Sequence, residues 1–286
     1  MPRPVLPPAF PLIEAAPHRL VFTAFGVTLG VRSHDEALLD RTREALPPCA
    51  VPSTAAVEEW FTLQRSVPSR VGAPRHRLLR QSAIIAEGIR LGPVLEALED
   101  ALRLAVASRT TTHVFVHAGV VRTGSGTIVL PGRSASGKTT LVRALVDAGA
   151  EYWSDEYAVF DAAGQAWPYP RRISVRQGTH RRHREALVGP PADEPAPMRL
   201  LIATAYEPGG VWAPRPLSPG DAVMALFSHT LTARSKPAFA LAALAEATKG
   251  SFALAGGRGD ATTCVLAILQ SSAGIGDPFT RIRTEL

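Results

Sequence analysis

Residues 130–140, Leu-Pro-Gly-Arg-Ser-Ala-Ser-Gly-Lys-Thr-Thr, combine residue types and spacing that carry definite chemistry. Gly132, Gly137, Lys138 and Thr139 fill the fixed positions of a G-x-x-x-x-G-K-[ST] phosphate-binding loop. Glycines at those places let the backbone curl until successive N–H groups face phosphate oxygens. Lys138 would neutralise the β- and γ-phosphates, and the Thr139 hydroxyl would ligate Mg²⁺. The nucleotide-binding residues expected on this reading are Gly132, Arg133, Ser134, Ala135, Ser136, Gly137, Lys138, Thr139 and Thr140. A chance Gly/Ser-rich turn is the alternative, and the context argues against it. Residues 127–130 read as an apolar strand, and residues 139–148 as a helix whose N-terminal dipole would face the phosphates. The ligand implied is a nucleoside triphosphate.

Two further features bear on what is done with it. The acid pair Asp155-Glu156 follows the loop helix. A carboxylate there can hold Mg²⁺ or take the proton from an attacking hydroxyl. Asp155 is therefore a candidate general base, and Thr139, Asp155 and Glu156 are candidate metal ligands. Taken alone, the pair suits a solvated surface equally well. His117 sits on an apolar run before the loop and would reach the γ-phosphate if the two strands are neighbours. A lone histidine on such a run also suits a core. The chain has no N-K-x-D guanine-reading motif.

The elements that must position these groups can be read in order. Six prolines among residues 1–18 predict an extended arm. Residues 20–31 suit one or two strands, and residues 35–46 a helix capped by Ser33 and stopped at Pro47-Pro48. Residues 58–67 and 77–85 read as strands, with 88–91 as a further short one. Residues 93–108 form the clearest early helix, with Leu95, Leu98 and Leu102 on one face. Residues 1–92 thus read as a small α+β module with a proline-rich arm, and 93–286 as the nucleotide-binding domain. Within the latter, residues 114–121 and 127–130 are strands, and residues 161–198 are loop-rich. Residues 199–206 form a strand, residues 218–227 and 237–249 helices, and residues 264–269 a last helix or strand.

Composition bounds the class. The 286 residues carry 46% hydrophobic and 20% charged side chains, ordinary for a globular protein. No apolar run nears eighteen residues, and the N-terminal stretch lacks a continuous apolar core. With two cysteines, Cys49 and Cys264, these features predict a cytoplasmic protein with reduced thiols and no membrane segment. The net charge of +6 is partly local: Arg171, Arg172, Arg176, Arg181, Arg182 and Arg184 cluster with no acid among them. Such a cluster suits an acidic peptide, ATP, a phosphate backbone or plain solvation. Aromatic residues are scarce around it and no nucleic-acid module accompanies it, so nucleic-acid binding is not expected.

The block His117-Ala-Gly-Val-Val, Gly132-Arg-Ser-Ala-Ser-Gly-Lys-Thr139 and Ser154-Asp-Glu156 resembles the H-G-V, G-x-S-G-x-G-K-S and D-D motifs of the HPr kinase/phosphorylase family. His117 lies 21 residues before Lys138 and Asp155 lies 17 after it, as in that pattern. The resemblance is firm over residues 113–180 and loose over 199–254, and it does not cover the first ninety. It implies an α/β fold, an HPr-kinase-like P-loop kinase domain with a central mixed sheet flanked by helices, preceded here by the smaller α+β module. Carried over by position, it implies Lys138 on the β-phosphate, Thr139 on Mg²⁺, Asp155 as base, His117 beside the base and Glu156 as a metal or water ligand. Arg176, Arg234 and Lys236 are implied as phosphate or substrate contacts. Ala135 replaces a loop glycine, Glu156 replaces an Asp, and no acid precedes Arg176-Gln-Gly. Without that acid the resemblance does not extend to a second metal ligand or to reverse phosphorylase activity.

As a whole the chain looks like the HPr kinase-related proteins, some of which accompany peptide-modifying clusters such as those for lasso peptides. The function implied is an ATP- and Mg²⁺-dependent kinase acting on a serine of a small protein or precursor peptide. The family also forms homo-oligomers. Two alternatives stay open: a small-molecule or carboxykinase-like enzyme on the same nucleotide site, and a non-catalytic ATP-binding regulator.

Overall fold

The computed structural model describes residues 10–13, 16–67, 73–133, 136–170, 173–177, 181–185 and 194–273. The chain divides into two units, residues 1–111 and 112–286.

In the first unit a hairpin of β1 (His18–Ala24) and β2 (Val27–Ser33) leads into α1 (Glu36–Asp40), continued as a 3₁₀ turn over Arg41–Ala45. The cap of α1 is Asp35, whose carboxylate accepts from Leu38 N–H at 3.1 Å, and not the expected Ser33. Ser33 still ends β2 as the partner of His18, and its hydroxyl accepts from Asp35 N–H at 3.2 Å. The short β3 (Val51–Pro52), β4 (Glu59–Arg65), β5 (His76–Arg80) and β6 (Ala83–Gly88) complete a six-stranded mixed sheet of order β3-β1-β2-β4-β5-β6. Only β2 and β4 pair in parallel. The helix α2 (Leu91–Arg109) packs on β5 and β6 through a face bearing the buried Val94, Leu98, Leu102 and Val106. It therefore belongs to the first unit. The boundary falls at residues 111–112 and not at 92–93, because the apolar stripe of this helix is spent on the preceding sheet.

The second unit opens with β7 (His113–Thr123) and β8 (Gly126–Pro131), an antiparallel pair. It continues through α3 (Lys138–Asp147), β9 (Glu151–Ser154), β10 (Tyr157–Asp161) and β11 (Gln165–Trp167). The backbones of β12 (Ile173–Gln177) and β13 (Arg181–Glu185) form a separate hairpin, so the segment expected to be loop-rich contains three strands and the start of a fourth. That fourth is β14 (Ala196–Tyr206). After β15 (Arg215–Pro216) come α4 (Pro219–Phe227), α5 (Pro237–Thr248), β16 (Phe252–Arg258) and α6 (Ala261–Ala273).

An eight-stranded mixed sheet runs β11-β10-β7-β8-β14-β16-β15, with β9 also on β7. The strands β8, β14 and β16 are parallel neighbours. Both faces of this sheet are covered, which explains the unbroken apolar run Ile128-Val129-Leu130. Val129 and Leu201 point to a core shared with α4 and α5, while Ile128, Leu130, Leu200 and Ile202 point to one shared with α3 and α6. Alternation of period two along each strand divides the two cores. Gly119 of β7 makes room for α3: a Cβ there would lie 2.5 Å from Val142 Cγ2. That close approach fixes where the helix, and so the loop before it, sits on the sheet.

Candidate functional site

The candidate phosphate loop leaves the carboxyl end of β8 at Pro131 and enters α3 at Gly137, as the spacing predicts. Gly137 caps the helix with φ +85°, a left-handed conformation that glycine adopts without penalty. Gly132 N–H donates to His117 C=O at 3.2 Å, tying the start of the loop to β7. Lys138 is buried, and its Nζ donates to the carbonyls of Gly132 and Arg133, both at 2.7 Å. Burial drives its pKa down to about 8, against the raising effect of Glu156 and Asp155. The ammonium is thus withdrawn from water and held by the carbonyls of its own loop.

The acids are placed by a break in strand pairing. β9 and β10 run one after the other along the same edge of β7, and Asp155-Glu156 is the turn between them. Ser154 Oγ pins that turn, accepting from Glu156 N–H at 3.1 Å and Tyr157 N–H at 3.0 Å. Asp155 is buried, and its two oxygens take two hydroxyls: Tyr152 donates to Oδ1 at 3.0 Å and Thr139 to Oδ2 at 3.2 Å. The second residue of the helix and the acid after it thus meet side chain to side chain. Glu156 lies on the His117 side, with Oε1 3.9 Å from His117 Nε2. Burial, helped by Lys138 and His229 and opposed by Glu156, lowers the His117 pKa. A neutral imidazole at pH 7 follows.

Two residues that the sequence reading did not single out complete the surroundings. Beyond Pro131, where β8 stops, residues 229–231 take over its edge of β7. His117 N–H donates to His229 C=O at 2.8 Å, and Leu231 N–H to Phe115 C=O at 3.0 Å. This brings His229 beside Lys138 and Arg133, and burial followed by those two cations lowers its pKa. Arg258, at the carboxyl end of β16, is 2% exposed and donates from Nη2 to Gly137 C=O at 2.9 Å. Neither had a local signal. His229 is a lone histidine, and Arg258 stands in a Gly256-Gly-Arg-Gly259 run that matches no motif.

A cleft of about 470 Å³ opens beside the loop, lined by Gly132, Arg133, Ser136, Thr204, Ser228 and His229 among others. It lies across the carboxyl ends of β8, β14 and β16, the place where parallel α/β sheets bind ligands.

The expected residues are distributed as follows. Gly132, Ser136, Gly137, Lys138, Thr139, Asp155, Glu156 and His117 come together, with Thr140 exposed on the first turn of α3. Arg133 is exposed at the rim. Ser134 and Ala135 lie outside the described residues, and so do Arg171 and Arg172 of the arginine cluster. Arg176 is in the backbone of β12. Arg234 and Lys236 lie on the turn before α5, and neither lines the cleft. The apolar run of β10 ends in another acid, Asp161, but this is at the far end of β7 opposite His113, where it accepts from Trp167 Nε1 at 2.9 Å.

Polyphosphate and Mg²⁺ are compatible with these residues on two observations. Among the described residues Ser136 Oγ is buried with no hydrogen-bond partner, and a Cβ on Gly132 would reach to 2.8 Å from it. An acceptor oxygen in the cradle would satisfy that hydroxyl. Among the described residues no three His, Cys, Asp or Glu side chains converge into a metal cage. Mg²⁺ needs none where nucleotide phosphates and one or two carboxylates complete its shell.

Comparisons with protein-family models, with curated proteins and with solved structures give no match. Among the described residues no helix is long and apolar enough to cross a membrane.

Proposed function

We propose that this chain is an ATP- and Mg²⁺-dependent kinase that transfers the γ-phosphate to a serine hydroxyl of a small protein or precursor peptide. The observation that carries the reading is the hydrogen bond from Thr139 Oγ1 to Asp155 Oδ2 beside the buried Lys138. A hydroxyl at the second helical position and a carboxylate facing it form the cation-holding pair of phosphoryl-transfer sites. Bound there by Thr139, Asp155 and Glu156, Mg²⁺ would neutralise charge on the phosphate oxygens. The loop amides and Lys138 orient the phosphates. Asp155 takes the proton of the attacking hydroxyl, and the neutral His117, steadied by Glu156, offers a second acceptor one strand away. The serine specificity and the peptide nature of the acceptor come from the resemblance to HPr kinase-related proteins. The cleft favours a second reading, a compact small-molecule acceptor, because its walls are built from small residues such as Ala203, Ala205, Ala225 and Gly256.

The test uses the full chain, Mg²⁺ and γ-labelled ATP with a serine-containing peptide library, its serine-free counterpart and a small-molecule mixture. Label on serine peptides alone, lost in Lys138→Ala and in Asp155→Asn, is the expected result. Label confined to small molecules would favour the second reading. Tight ATP binding without transfer to peptide, small molecule or water would overturn catalysis and leave a nucleotide-binding regulator.

A further inference from the structure

Tyr206 closes β14 and Arg258 closes β16, directly opposite each other in the parallel register. The tyrosine is 50% exposed although it stands at the mouth of the phosphate loop, its Cβ 3.7 Å from where a Cβ on Gly137 would lie. Behind it Arg258 is fixed on two carbonyls, Gly137 at 2.9 Å and Gly259 at 3.1 Å, with its Cζ 5.8 Å from the ring centroid. Among the described residues this buried guanidinium has no carboxylate partner. The backbone around the pair is tied as well: Glu207 N–H donates to Arg258 C=O at 2.8 Å and Gly210 N–H to Glu207 C=O at 2.9 Å. A tethered aromatic ring is thus presented to solvent, backed by a cation, next to the residues that would hold a nucleotide's phosphates.

We infer that Tyr206, held in place by Arg258, is the face on which the nucleobase stacks. The inference rests on the nucleotide reading above and adds the base subsite to it. The chain lacks the N-K-x-D edge-reading motif, and the ends of β14 and β16 offer a π-face with a rigid mount. Every base has a π-face, so recognition here is by stacking. The buried cation also polarises the ring it supports and fixes its distance from the loop through Gly137.

Isothermal titration of the full chain with ATP and with inorganic tripolyphosphate tests this. Tyr206→Ala is expected to weaken ATP binding about tenfold, the order of one base–aromatic stack, and to leave tripolyphosphate unchanged. Tyr206→Phe is expected to keep wild-type affinity for both. The site is exposed, so both variants should melt as the wild type does. Unchanged ATP affinity in Tyr206→Ala, or equal weakening of ATP and tripolyphosphate, would overturn the base subsite while leaving the kinase reading intact. A wild-type chain that binds neither ligand would overturn both.

Discussion

Asp155 is held by two hydroxyls that differ in role. Thr139 is half-buried at the first turn of α3, so its bond to Oδ2 lies where a cation would enter, whereas Tyr152 is buried and its bond to Oδ1 braces the carboxylate. Tyr152→Phe removes a donor from a buried carboxylate and is expected to lower stability by about 1–3 kcal/mol, measurable by urea unfolding. It should also weaken Mg²⁺-dependent nucleotide binding, because Asp155 loses its brace. Thr139→Val is expected to cost little stability and most of the Mg²⁺ dependence. His229 gives a second expectation. Its pKa is lowered by burial, then by Lys138 and Arg133. Below about pH 6.5 the unfolded chain therefore takes up a proton that the folded chain refuses, so this group erodes stability as pH falls towards its folded pKa. His229→Gln should lose less stability between pH 7 and 5 than the wild type does, and proton NMR should show the histidine titrating upward when tripolyphosphate is added. Lys138 and Thr139 were legible in the sequence because the loop pattern is local, whereas Asp155, Glu156 and His117 stood out only through the resemblance, since an acid pair suits a surface and a lone histidine a core equally well. His229 and Arg258 reach the loop only through the return of distant chain, and no spacing encodes that.

At the scale of elements, the loop is aimed by the packing of α3 on β7. Gly119→Ala would press a methyl into Val142, and overpacking of this kind costs about 1–3 kcal/mol. Urea unfolding should show that loss, and because α3 carries Lys138 and Thr139 at its first turn, nucleotide affinity should fall with it. A variant that lost stability but kept full affinity would show that the loop is held by Arg258 and β7 alone. Most of these elements announce themselves. Residues 127–130 form a buried strand, Ser218 caps α4 by accepting from Asp221 N–H at 3.2 Å, and α2 runs where its leucine stripe predicts. β16 does not. Its Phe-Ala-Leu-Ala-Gly-Gly-Arg sequence has low strand propensity, and it is a strand because β14 and β15 pair with it on both sides. The cap of α1 moved from Ser33 to Asp35 for a related reason: sheet pairing took Ser33 first.

For the whole chain, the division at residues 111–112 carries a sharper expectation than the boundary read before the helix at residue 93. Val94, Leu98, Leu102, Ala105 and Val106 of α2 are buried, and the elements it packs on are β2, β5, β6 and the Arg41–Ala45 turn. Removing the helix would uncover the sheet face beneath those five side chains, of which the two Val and two Leu are each worth about 1.5–3 kcal/mol when fully buried. That is comparable with the entire stability of a small domain. A fragment of residues 1–111 is therefore expected to unfold cooperatively in urea, and one of residues 1–92 to show no cooperative transition. The complementary cut reads the other unit. Every group placed at the candidate site, from His117 to Arg258, lies beyond residue 111. A fragment of residues 112–286 should bind ATP with the affinity of the full chain, while residues 93–286 would carry an orphaned apolar helix and self-associate at micromolar concentration. Loss of ATP binding in a folded 112–286 fragment, by the same titration, would mean that the first unit contributes to the nucleotide site. Retained binding with lost transfer to peptide would assign the first unit to the acceptor.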